Sequence, residues 1–147
     1  MAILALARIR LNAVAKDKND AIRQAGELLV AGGCVSRGYV EGMVARETTM
    51  STYLGAGVAI PHGEYDNRAD IYRTGLSVVQ FPKGVEWEEG ELAHLVIGIA
   101  AAGDEHVGVL SQLANVIEDE QVLAQMIHAT DPHVILNALK PDVVDPA

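Results

Sequence analysis

Leu92-Ala93-His94-Leu95-Val96-Ile97-Gly98-Ile99-Ala100 is the most hydrophobic segment of the chain. Its apolar residues run almost without interruption. An amphipathic helix would repeat them every three to four positions, and a half-exposed strand would alternate them. A near-continuous run suits a central strand covered on both faces. The longest apolar run, LVIGIAAAG, is far shorter than the roughly 20 residues that cross a bilayer as a helix.

Working outward, Gly103-Asp104 precedes Val107, Leu110, Leu113, Ala114 and Ile117, which recur at helical spacing. Val122, Leu123, Met126 and Ile127 form a second stripe. Asp131-Pro132 opens a last short helix with proline at its first position, carrying Val134, Ile135, Ala138 and Leu139. The tail 141–147 reads as frayed and flexible. Upstream, Leu76-Ser77-Val78-Val79-Gln80-Phe81 is a strand that Pro82 and Gly84 should stop, and Val58-Ala59-Ile60 is a shorter one that Pro61 should end. Asp17 is placed to cap a helix bearing Ile22, Ala25, Gly26 and Leu29, which Gly32-Gly33 stops. Ser36 is placed to cap another, bearing Val40, Met43 and Val44. That helix should end near Arg46-Glu47, because Thr48, Thr49, Ser51 and Thr52 are poor helix formers. Interleaved helices and strands predict an α/β fold with a sheet between helices, in one domain covering residues 1–147. Strand order and direction are not legible at this level.

The 147 residues are half hydrophobic and carry a formal charge of −9. Such a chain folds around one core and lacks the clustered Lys and Arg that nucleic acid or an anionic membrane surface requires. A single cysteine, Cys34, excludes an intrachain disulfide and any CxxC pair, which points to a reducing cytoplasm. The N-terminal apolar run is followed at once by arginines, the reverse of a signal peptide. There is no Walker loop, no GxGxxG and no GxSxG, so neither nucleotide binding nor a serine nucleophile elbow is supported.

The chemistry-bearing positions are few. In Gly57-Val58-Ala59-Ile60-Pro61-His62-Gly63-Glu64, proline fixes the direction in which the chain leaves a strand and glycine leaves room for close approach. His62 is thereby held at a strand end with space beside it, as suits a nucleophile or ligand, although on spacing alone a plain turn histidine is the commoner reading of so short a motif. His106 lies at the start of a long helix, where unpaired N–H groups favour an anion; a surface histidine is the alternative. Arg46 offers a planar fork to a phosphate or carboxylate, or simply pairs with Glu47. His94, on one face with Leu92 and Val96, reads as structural. His128 and His133 form no metal-ligand pattern, so no metal or cofactor is expected. A metal-dependent hydrolase using His62, His94 and His106 lacks the carboxylates it would need. Cys34 reads as inert.

Three segments in this order, MVARETTMSTYLGAGVAIPHG, FPKGVEWEEGE and LVIGIAAAGDEHVGVLSQLANVIEDE, strongly resemble the mannitol-type enzyme IIA of the bacterial sugar phosphotransferase system. The likeness runs from about Asp17 to Leu139. It implies an α/β sandwich with a mixed sheet between helix layers, and a cytoplasmic phosphotransferase component. It also implies that His62 accepts a phosphoryl group from the carrier HPr and passes it to a cysteine of a cognate IIB or IIBC permease. By the same resemblance His106 is the second active-site histidine, stabilising the phosphoryl group, and Arg46 the nearby arginine that contacts phosphate or partner. Some relatives carry an acidic residue before PHG where this chain has Gly55-Ala56-Gly57; Glu64 or Asp66 are its potential substitutes. Glu64, Asp66, Glu86, Glu88 and Glu89 are candidate edge charges for HPr docking. The chain is expected to be a free IIA or one cut from a fusion. Relatives of the fructose and nitrogen type, some of them regulators acting through phosphorylation-dependent binding, share PHG and remain the alternative.

Overall fold

The computed structural model describes residues 4–63, 69–101 and 105–143, the side chains of 105–108, 112 and 140–143 excepted. After a short 3-10 turn at Leu6–Arg8 come β1 (Ile9–Arg10), α1 (Lys18–Ala31), α2 (Arg37–Thr49), β2 (Tyr53–Gly55), β3 (Val58–Ala59), β4 (Gly75–Glu88), β5 (Glu91–Ala100), α3 (Glu105–Glu118), α4 (Glu120–Ile127) and α5 (Pro132–Val143). The sheet runs in the order β1-β4-β5-β3-β2. It is mixed: β1 is parallel to β4, β4 antiparallel to β5, β5 parallel to β3, and β3 antiparallel to β2.

β5 is the middle strand, as its apolar run predicts, and residues Leu95 to Ala100 are fully buried. On one face Leu95, Ile97 and Ile99 join Val58, Leu76 and Val78 against Leu113 of α3, Met126 of α4 and Ile135 of α5. On the other, Val96 and Ala100 join Val79, Phe81 and Trp87 against Ile22 and Leu29 of α1 and Tyr39 and Met43 of α2. Helices therefore cover both faces, and the expected sandwich with a mixed sheet is the fold observed.

Several details differ from expectation. β4 does not stop at Pro82 and Gly84 but continues to Glu88 through a bulge, where the register shifts between Gln80 and Val85. Pro82 is exposed and Gly84 has a positive φ of 80°, so the two residues shape the bulge instead of ending the strand. α2 runs on to Thr49. The Thr48 hydroxyl donates back to Ala45 O at 2.6 Å, and the Arg46 guanidinium to Met50 O at 2.9 Å, so the last turn carries its own side-chain partners. Ser36 holds the cap position without capping; its hydroxyl goes to Asp70 Oδ1 at 2.6 Å. β1 and β2, short strands at the sheet edges, have no counterpart in the sequence reading, and β2 lies shortly beyond the point where α2 was expected to end. Asp17 does cap α1, accepting the Asp20 N–H at 2.8 Å, and Pro132 opens α5. α5 reaches Val143, three positions into the predicted tail; residues 144–147 lie outside those described.

One buried polar side chain locks the third layer to the sheet. Gln80 of β4 donates to the carbonyls of Met126, Ile127 and Ala129 at 3.1, 3.1 and 2.9 Å, satisfying the C-terminal end of α4. Its oxygen accepts the Asn12 N–H just after β1 at 3.0 Å.

Candidate active site

His62 continues the line of β3 beside β5. Past Pro61 it makes an isolated parallel bridge with Ile99, and the Ile99 N–H donates to Pro61 O at 3.0 Å. The ring is half-buried, with Nδ1 2.9 Å from the carbonyl oxygen of Ile60. A carbonyl only accepts, so Nδ1 carries the proton. In the neutral ring Nε2 then carries the lone pair. The Ile60 carbonyl is itself fixed, because the Ile60 N–H donates to Thr52 O at 3.1 Å, extending the β2–β3 pairing by one step. A strand exit predicted from Pro61 thus delivers a single tautomer.

On the far side of His62, the Gly63 N–H donates to the hydroxyl oxygen of Tyr39 at 2.9 Å, and that hydroxyl donates to Ile99 O at 2.7 Å. Tyr39 is 3 % exposed. Burial pushes its phenol up to about 12, with the Gly63 N–H acting weakly the other way, so the hydroxyl keeps its proton at any physiological pH. A Cβ on Gly63 would stand 2.5 Å from Tyr39 Cε1, which is why the residue after His62 has none. The close approach expected at Gly63 is made by the ring of Tyr39.

Arg46 and Glu47 do not pair. Arg46 turns outward and closes the end of α2. Glu47 is 4 % exposed and turns inward, where its carboxylate accepts the Thr52 N–H and hydroxyl at 2.8 and 2.6 Å and the Trp87 indole N–H at 3.0 Å, with Lys18 Nζ at 3.4 Å. Glu47 therefore ties α2 and β4 to Thr52, whose carbonyl receives Ile60. Arg46 lies seven residues beyond Tyr39 on α2, about 10 Å along the axis, and no described hydrogen bond joins it to His62.

His106 is at the second position of α3, which begins shortly after β5 passes His62. Its side chain lies outside the described residues, as do Glu64 and Asp66. Glu86, Glu88 and Glu89 are exposed but distant. Glu86 and Glu88 pair with Leu92 and Glu91, so seven residues of β5, roughly 23 Å, separate them from Ile99. His94 is structural, its Nδ1 3.1 Å from Phe81 O at the β4 bulge. His128 ends α4, and His133 contacts Asp131 at 2.8 Å on the surface. Cys34 is buried and unbridged. Among the described residues no three His, Cys, Asp or Glu side chains gather as metal ligands, and no helix is long and apolar enough to cross a membrane.

Sequence reading missed Tyr39 and Glu47. Tyr39 lies four positions before Met43 on the buried stripe of α2, and a phenol there needs a polar partner. That spacing was its only signal. Nothing local marks Glu47 as buried.

Comparison with known proteins agrees with this architecture. The chain is 47% identical over 143 residues to a multiphosphoryl transfer protein of Haemophilus influenzae, covering 97% of this chain but 29% of that protein. It is 38% identical over 129 residues to the mannitol-specific phosphotransferase enzyme IIA component of Bacillus subtilis, covering 88% and 90% of the two chains. Among solved structures, the complex of enzyme IIAMTL and phosphorylated enzyme IIBMTL from Escherichia coli contains a chain that superposes with a TM-score of 0.87 at 40% identity, covering 92% of this chain and 95% of that one. The chain thus spans about a third or less of the first multiphosphoryl relatives and 90% of the Bacillus subtilis one. With a family model matching residues 2–141, the chain belongs to the EIIA 2 family of the phosphoenolpyruvate-dependent sugar phosphotransferase system.

Proposed function

We propose that the chain is a phosphoryl carrier. His62 Nε2 takes the group from phosphorylated HPr and yields it to the cysteine of a cognate IIB, in mannitol uptake. The observation that carries this is the Nδ1 bond to Ile60 O, which leaves the lone pair on Nε2 of a half-buried ring at a strand end. Membership of the family supports it, as does the solved complex of a homologous IIA with a phosphorylated IIB.

Transfer requires donor nitrogen, phosphorus and Nε2 roughly in line, with the negative charge on three equatorial oxygens stabilised. The phosphorus–nitrogen bond of the donor breaks as the Nε2–phosphorus bond forms, and the donor ring recovers its lone pair. The proton stays on Nδ1. As Nε2 bonds to phosphorus the His62 ring becomes cationic, so the Nδ1–H to Ile60 O bond gains strength as charge develops. A phosphohistidine is exchanged for a phosphohistidine, so this step is nearly balanced and reversible. In the second step the thiolate of IIB attacks phosphorus and Nε2 leaves as neutral imidazole. His106 in the first turn of α3 stabilises the phosphoryl oxygens, with the N–H groups that open that helix. Arg46, facing solvent, contacts the phosphate or the docked partner.

His62→Ala should take no label from phosphorylated HPr, and normal uptake would refute the assignment. His106→Ala should still be labelled but deliver slowly to IIB; wild-type delivery would remove it from the mechanism. An IIA for mannitol and one for another sugar could share this site: the chain is 47% identical to a multiphosphoryl transfer protein, whose name carries no sugar, and 38% to a mannitol-specific IIA. Transfer to a mannitol IIB, measured beside transfer to IIB proteins for other sugars, separates the two.

A further inference from the structure

We propose that Tyr39 is a positioning residue for the phosphoryl acceptor: its hydroxyl, set between the Gly63 N–H and the Ile99 carbonyl, fixes the backbone that carries His62. The inference deepens the carrier function and rests on it.

Where two parallel strands meet, the N–H after the bridged residue normally donates to the carbonyl of its partner. The first bond of the His62–Ile99 step is direct, Ile99 N–H to Pro61 O at 3.0 Å. The second is relayed: Gly63 N–H to the Tyr39 oxygen at 2.9 Å, then Tyr39 O–H to Ile99 O at 2.7 Å. The Tyr39 oxygen thus sits on the second rung of the bridge, in contact with both of its ends. The histidine lies in the short span between a direct bond and a relayed one, with its ring turned back to Ile60 O at 2.9 Å. Both partners of the hydroxyl are backbone groups flanking the acceptor, and the phenol arrives from α2, across the buried face of the sheet. Its proton is retained throughout the working pH range, so the relay keeps one direction of donation.

Without the hydroxyl, Gly63 has two outcomes. Its N–H goes unsatisfied, or it closes directly on Ile99 and draws the His62 backbone towards β5. Either one loosens the ring from the orientation that puts the proton on Nδ1 and the lone pair on Nε2. The effect should fall on the transfer step and leave partner docking intact, because Tyr39 is buried.

The test is Tyr39→Phe, with phosphoryl uptake from phosphorylated HPr followed beside the nitrogen-15 shifts of the His62 ring. The expected result is a folded protein whose kcat for uptake drops on the order of tenfold or more, in keeping with loss of a relayed hydrogen bond at a reacting group. KM for the donor should stay within about twofold on the same argument, and the ring shifts should move from the pure Nδ1–H tautomer towards a mixture. Wild-type kcat with wild-type ring shifts overturns the inference. If Tyr39→Phe does not fold, 3-fluorotyrosine incorporated at position 39, its single fluorine free to lie on Cε2 and away from Gly63, chiefly changes the acidity of the hydroxyl. A changed uptake rate then supports the relay and an unchanged one overturns it. Wild-type protein that takes no label refutes the carrier function itself, while labelled wild type with an unaffected variant refutes only the role of Tyr39.

Discussion

Gly63→Ala isolates the contact that shapes the acceptor loop. An ideal Cβ at this position would lie 2.5 Å from Cε1, 2.9 Å from Cζ and 3.1 Å from Cδ1 of Tyr39. Carbon atoms rest at about 3.5–4.0 Å, so ring and loop must part by about 1 Å. The ring has nowhere to go, being buried in the α1–α2 core with its hydroxyl held by Ile99 O. Overpacking of this kind costs about 1–3 kcal/mol, and the strained Gly63–Tyr39 bond about 1 kcal/mol more. Gly63 is not among the glycines with positive φ. Alanine is therefore allowed by the backbone, and its lower unfolded-state entropy offsets about 0.4–1 kcal/mol. The net loss is about 1–3 kcal/mol, a fall in Tm of roughly 3–10 °C for a domain of this size. Thermal unfolding of wild type, Gly63→Ala, Tyr39→Leu and the double variant measures it. If the ring is the obstacle, Gly63→Ala costs almost nothing once Tyr39 is leucine, and the coupling equals most of the single-variant loss. Equal destabilisation in both backgrounds would refute the contact, as would a Gly63→Ala protein as stable as wild type.

Two further outcomes follow from the same neighbourhood. The Tyr39 phenol is raised from 10.0 to about 12, so between those values the folded chain keeps a proton that the unfolded chain releases. Stability should then be complete below pH 10 and decline towards pH 12 by up to about 3 kcal/mol; urea titrations at stepped alkaline pH should show this, with a shallower decline in Tyr39→Phe. Glu47→Ala should cost about 2–4 kcal/mol by stranding the Thr52 N–H and the Trp87 indole N–H. Trp87 is the sole tryptophan, so its emission reports the change directly, and an unchanged Tm with unchanged emission would show that the carboxylate is dispensable.

The elements read correctly are those whose evidence is local. β5 declares itself by an unbroken apolar run, α1 by Asp17 and a stripe, and α5 by Pro132. β1 and β2 are two and three residues long, and they exist because β4 and β3 offer them an edge. No periodicity fits in so few residues. β4 reads short in the sequence because Pro82 and Gly84 punctuate strands and bulges alike. What tells the two apart is the partner strand, here β5 with His94 opposite the bulge and bonded to Phe81 O.

The site divides along the same line. His62 was legible because proline, histidine and glycine are contiguous and their backbone consequences are local. The groups that hold it are not: Tyr39 reaches Gly63 across 24 positions and Ile99 across 60, and Trp87 reaches Glu47 across 40. Arg46 and Glu47 show how a local rule misleads when the wrong one is used. Neighbours in sequence suggest an ion pair, but adjacent helical residues point about 100° apart and do not face each other. The two therefore need not share a partner, and here the carboxylate lies in the core while the guanidinium bonds to the helix end. Burial goes to the carboxylate because Thr52, Trp87 and Lys18 supply donors there, and the guanidinium is left to close the helix and face whatever docks. The resemblance supplied a role for Arg46, whereas helix geometry supplies the reason that its neighbour, and not Arg46 itself, supports the strand that delivers His62.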